Sequence, residues 1–164
     1  MAQERYWKEL YQLKVHINYV EAHIHDAEMH DRCIKMFMAV ASSASIGAWV
    51  IWKDLSFLWA MIIALSQVIA AISPHLPFKE RLKTYSSMLH ELEEVFIRAE
   101  EKWHDIASGK HDEDEINGAI TNLRLQKHKL LKKHLPSSVI PDDTEKAEKA
   151  ETLALNYFST FYPA

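Results

Sequence analysis

The chain has 164 residues, 48% of them hydrophobic and 26% charged, with a formal net charge of −4. That length fits one ordinary domain, and the composition excludes collagen-like, disordered and disulfide-scaffold classes. Three glycines and five prolines argue against a turn-rich all-β fold and leave no material for a glycine-rich phosphate loop. The single cysteine, Cys33, has no partner within the chain for a disulfide, which fits a reducing compartment.

The first residues carry no apolar run, so no cleavable secretory signal is expected. Tyr6, Leu10, Leu13, Ile17, Val20, Ile24 and Ala27 instead recur at alternating steps of four and three, a heptad seam. It predicts a long amphipathic helix within a segment 1–35. From Met36 to Trp52 no residue is charged; Lys53 and Asp54 interrupt, and Leu55 to Phe78 is again free of formal charge. At about 1.5 Å per residue the first run rises roughly 25 Å, close to the ~30 Å hydrocarbon core of a bilayer. Trp49, Trp52 and Trp59 flank the break, as an interfacial aromatic belt would. The expectation is a transmembrane hairpin in segment 36–78, with spans 36–52 and 55–73 and a turn at 53–54. A buried hairpin in a soluble bundle is the competing reading. Arg32 and Lys35 before the hairpin and Lys79, Arg81 and Lys83 after it, against Lys53 alone in the turn, place both termini on the cytoplasmic side.

Within the hairpin, Ala39, Ser43 and Gly47 share one face, and Ala64 and Ala71 lie on the second run; both sets are candidates for close helix packing. Ser42, Ser43, Ser45, Ser66 and Gln67 are the polar residues singled out within the two runs as candidates. Packing of the hairpin and of an oligomer interface accounts for them; so does the lining of a water-filled path. No Asp, Glu, Lys or Arg lies inside either run, which disfavours a proton relay or a voltage sensor.

After the hairpin, Leu82, Tyr85, Leu89, Leu92, Phe96, Ala99, Trp103 and Ile106 restore the three-four rhythm, predicting a second long helix over 79–108 that stops near Gly109. A third helix, completing a segment 79–135, follows the acidic cluster Asp112 to Glu115. Its apolar side is Ile116, Ile120, Leu123 and Leu130, and Pro136 ends it. The segment 136–164 comprises a connector, a cap at Asp142 to Thr144, and a last helix with a seam of Ala147, Ala150, Ala154, Tyr157 and Phe161. Its four terminal aromatics predict that the helix docks. The fold class is therefore all-α: a membrane protein with a two-helix transmembrane hairpin and a long-helix cytoplasmic bundle.

Arg124, Lys127, Lys129, Lys132 and Lys133 place five positive charges in eleven residues without an acid, with His128 and His134 beside them. A solvated face that balances acidic neighbours explains this, as does a site for a phosphate-bearing anion or for lipid headgroups. The candidate ligand residues are Arg124, Lys127, His128, Lys129, Lys132 and Lys133. Ten histidines are many, and His16, His23 and His30 are seven apart, but no metal-ligand spacing, nucleophile motif or dinucleotide fingerprint is present. No metal, no cofactor and no enzymatic activity are expected.

The aromatic start Tyr6-Trp7, the turn Trp49-Val-Ile-Trp52-Lys53-Asp54, the small-residue first span and Lys79-Glu80-Arg81 at the second exit lie in one order. That order, from Trp7 to Leu135, resembles the SLATT proteins, two-transmembrane effectors associated with bacterial nucleotide-synthase and nucleotide-sensor genes. The resemblance implies a pore-forming effector of anti-phage defence in the inner membrane. Control would come from a nucleotide or short oligonucleotide made by a partner nucleotidyltransferase, with no duplex DNA involved. Two spans cannot enclose an aqueous path alone, so a pore requires a homo-oligomer such as a tetramer. The alternative function is a membrane-anchored scaffold that recruits a partner through its heptad seams.

Overall fold

In the computed structural model the described residues, 2–51, 56–73, 78–136 and 140–162, form five α-helices and no strand. They are α1 (Ala2–Ile51), α2 (Ser56–Ile72), α3 (Phe78–Ala107), α4 (Glu113–His134) and α5 (Thr144–Phe161). The chain is all-α, and α1 runs without interruption from the heptad seam into the first apolar run. By its contacts the chain divides into one unit of Met1–Ile24 with Lys83–Ala164 and a second of His25–Leu82.

The first unit is a bundle of four helical segments. The α1 seam supplies Tyr6, Leu10, Leu13, Ile17 and Val20, none more than 2% exposed. Against it lie Tyr85, Met88, Leu92, Phe96, Ala99 and Ile106 of α3, then Ile116, Ile120, Leu123 and Leu130 of α4, with Phe158 of α5 in the same core. Cross-links fix the directions. Gln3 donates to the Ile106 carbonyl (3.0 Å) and Tyr6 Oη to that of Ala99 (3.0 Å), so α1 and α3 are antiparallel. Arg5 meets Asn117 (3.3 Å) and Glu9 meets Arg124 (2.9 Å), so α4 runs with α1. Buried Asn18 donates to the Ala150 carbonyl (3.1 Å), and Trp7 packs on Phe158, so α5 runs against α1.

The ends obey local rules. Gly109, at φ 73°, closes α3: its N–H and that of Lys110 return to the carbonyls of Ile106 and Asp105, the Schellman arrangement that favours glycine. Asp112 caps α4 by accepting from Glu115 N–H (2.8 Å), while Glu115 accepts from Asp112 N–H (3.1 Å), a full capping box. Asp143 caps α5.

The aromatic C-terminus docks, with one change from expectation: Phe158 is buried, whereas Phe161 is 64% exposed. The spacing Ala150, Ala154, Phe158 follows one row of a straight helix, and Phe161 falls beside that row. Phe158 sits 4.8 Å from Trp7 between ring centroids. Tyr157 and Tyr162 both donate to Glu100 (2.7 and 3.0 Å). Burial, then this carboxylate, pushes the Tyr162 phenol up to about 12. Lys14 Nζ lies 4.5 Å from the Tyr157 ring centroid, a cation-π contact over the same cluster.

The second unit comprises the rest of α1, α2 and the start of α3. Its large apolar residues face outward: Phe57 is 78% exposed, Val40 65%, Met36 61%, and Leu58, Met61, Leu65, Val68 and Ile72 about half. Ser66 is buried and donates to the Ile63 carbonyl (2.7 Å), the local bond open to a helical serine. Gln67, Ala39, Ala64 and Ala71 are exposed in the single chain. The side chains of Ser42, Ser43, Ser45 and Gly47, and the turn at Lys53 and Asp54, lie outside the described residues. Among the described residues no helix is long and apolar enough to cross a membrane; α2, at 17 residues, rises roughly 25 Å.

Candidate functional site: the basic face of α4

The six basic candidates belong to the last three turns of α4, and their surroundings sort them into three kinds. Arg124 reaches across to α1 and grips Glu9 through both Nε (2.9 Å) and Nη2. Lys133 reaches α3, where it and His134 share the Glu91 carboxylate (2.5 and 3.1 Å). Lys133, then His134, hold that carboxyl below its ordinary range. These cations tie α4 to its neighbours, so part of the charge run balances acids, though on α1 and α3 and not in the Asp112 to Glu115 cluster. That cluster is engaged in capping, and the His111 hydrogen bond, then Asp112 N–H, lowers the Glu115 carboxyl.

Lys127 is the second kind. It is half-buried against α1, and burial pushes its ammonium down while Glu9 opposes the shift. Close to it, His16 of α1 is held neutral, its pKa lowered to about 4 first by burial and then by the Lys127 charge. His16 Nε2 is buried and has no hydrogen-bond partner among the described residues. Such a group is expected to carry a cost of about 1–3 kcal/mol.

His128, Lys129 and Lys132 are the third kind: all are exposed. His128 and Lys132, four apart on one strip, border a cavity of about 480 Å³ between α1 and α4. Its walls are Leu131 of α4, Leu135 at the C-terminal cap of that helix, Tyr19 and His16 of α1, and Ile140 from the connector. The Tyr19 hydroxyl donates to the Pro141 carbonyl (2.6 Å) and accepts from Asp143 N–H (3.0 Å). This anchors the start of α5 beside the cavity. The structure thus gathers His128 and Lys132, leaves Lys129 on open surface, and commits Arg124 and Lys133 to ion pairs. His16, Tyr19 and Ile140 are the site residues that sequence reasoning missed. Their approach to α4 depends on tertiary packing, and only the seven-residue spacing of His16 within the α1 helix marked it.

A second groove, of about 440 Å³, separates α3 from α4 and is polar, with Arg98, Lys102, Asn122 and Gln126 among its walls. Its charges are mutually satisfied: Arg98 pairs with Glu94 (2.5 Å), and Lys102 donates to His111 (2.9 Å), which donates on to Glu115 (2.9 Å). Among the described residues no group of three or more His, Cys, Asp or Glu side chains could hold a metal ion. Comparison with protein-family models, with curated proteins and with solved structures returned no match.

Proposed function

We propose that the chain is a homo-oligomeric pore-forming effector of the bacterial inner membrane, with both termini in the cytoplasm, controlled by an anionic ligand that lands on α4. The observation that carries this reading is the outward set Phe57, Met61, Leu65, Val68 and Ile72 on a helix without a formal charge. Apolar area of that kind needs a lipid or protein partner, and lipid satisfies every side of α2 at once. The uncharged 36–52 run supports a companion span, and several copies are needed to enclose a path. Control through the bundle is supported by the exposed side chains of Lys132 and His128 at the α4 cavity. The resemblance to SLATT proteins supports a nucleotide or short oligonucleotide as ligand and anti-phage defence as setting.

A potential-sensitive dye in cells that express the chain tests this reading. Depolarisation in the wild type, abolished by Phe57→Asp with Leu65→Asp, is expected. Unchanged potential with and without added nucleotide refutes the pore. In that case a membrane-anchored scaffold is the remaining function, and the bundle's helices are the surface on which a partner would be sought.

A further inference from the structure

The cavity between α1 and α4 has apolar walls and, among the described residues, one ammonium at its edge, Lys132. Leu131, Leu135 and Ile140 make it apolar, and Tyr19 adds a ring whose hydroxyl is already spent on Pro141 and Asp143. The ionisable wall residues besides Tyr19 are all basic: His16, His128 and Lys132. Three acids around it are engaged by other groups: Asp143 by Lys146, Glu9 by Arg124, and Glu91 by Lys133 and His134. Among the described residues no carboxylate and no carboxamide lines the cavity, so a sugar diol or the hydrogen-bonding edge of a base has few complementary groups.

We infer that this cavity binds a single-chain alkyl carboxylate of medium length, its tail against Leu131, Leu135 and Ile140 and its head at Lys132 and His128. The volume falls within the ~300–1,000 Å³ of small-molecule sites. Removal of the tail from water supplies the drive, and a charge-assisted bond from Lys132 fixes the head at the mouth. Lys132 is the cation for this task because its neighbour Lys133 is held by Glu91. The inference rests on the part of the functional reading that puts an anionic ligand on α4, and it replaces the nucleotide of that reading with an amphipathic monoanion.

The test is equilibrium dialysis of sodium decanoate at pH 7.5 against the purified full chain in detergent, with protein-free detergent as the reference for micellar uptake. Conduction plays no part in this readout, so failure of the pore reading and failure of this inference are separable. The expected result is saturable binding of one decanoate per chain. Lys132→Glu should weaken it at least tenfold and Lys132→Gln less, with unchanged helicity, and Leu135→Trp, which fills the cavity, should abolish it. Decanol, with the same tail and no charge, should bind at least tenfold more weakly, and adenosine monophosphate should fail to displace decanoate. Uptake that never saturates, or full binding by a folded Lys132→Glu chain, overturns the inference. Displacement by adenosine monophosphate overturns it too and returns the site to a nucleotide.

Discussion

Leu10 and Leu65 are the same residue on two helices of one chain, yet Leu10 has no exposed surface and Leu65 is 53% exposed. The difference lies in their neighbours along the sequence. Leu10 belongs to a narrow seam on a helix whose other faces carry Glu4, Lys8, Glu9 and Lys14, so one face alone seeks cover, and α3, α4 and α5 supply it. Leu65 belongs to a helix that is apolar on nearly every side, so the face it turns outward is as apolar as the face it turns inward. Its unit buries Ala41 and Ser66 and leaves larger residues outside. Amphipathic patterning is resolved within the chain; the apolarity of α2 stays exposed in the single chain.

Truncation of core anchors should break the bundle while the same change in the second unit does little. Phe158→Ala removes the ring that joins α5 to Trp7, Tyr11 and Phe96 and should cost about 3–5 kcal/mol in denaturant unfolding. Leu10→Ala should cost about 2–5 kcal/mol, whereas Leu65→Ala in detergent should stay within about 0.5 kcal/mol. Equal losses for the two leucines would erase the contrast.

The His16 prediction concerns pH. Its folded pKa lies below the unfolded value, 6.5 against about 4, so the unfolded chain binds more protons between those limits. The pH-dependent part of the stability is therefore fully present above pH 6.5 and is lost as pH falls toward 4, because the buried imidazole resists the proton that the unfolded chain takes up. At 1.36 kcal/mol per pKa unit its ceiling is on the order of 3 kcal/mol. The fall in thermal midpoint from pH 7 to pH 4.5 should be smaller for His16→Gln than for the wild type; identical falls would remove His16 from the account. The smallest effect belongs to the exposed Arg124 grip on Glu9. Arg124→Gln should leave the midpoint nearly unchanged, because solvent and salt screen such pairs.

Much of the bundle was legible from periodicity. Tyr6 to Val20 and all four apolar residues assigned to α4 are buried as their spacing requires, and Asp112, Gly109 and Asp143 end helices as their chemistry dictates. Where two apolar residues adjoin, the spacing picked the less buried one: it put Leu89 in the α3 seam and left Met88 out. Met88 is fully buried and Leu89 only partly, because the α3 row that faces the bundle is set by all three partner segments. The basic run was visible as composition, but its division was not. Glu9 and Glu91 are distant in sequence from the cations they engage, so only packing reveals that Arg124 and Lys133 are spoken for and that His128 and Lys132 border a cavity.

The central claim, that the outward apolar face of α2 is covered by lipid, is tested most directly by quenching. Cys33 would be replaced by serine and a single cysteine introduced at Leu65, or at Leu125, which is also about half exposed but on the bundle. Each would carry an environment-sensitive fluorophore in vesicles of brominated lipid. The account predicts strong quenching at position 65 and none at position 125. A fluorophore at position 65 that remains unquenched, and open to an aqueous quencher, would contradict it.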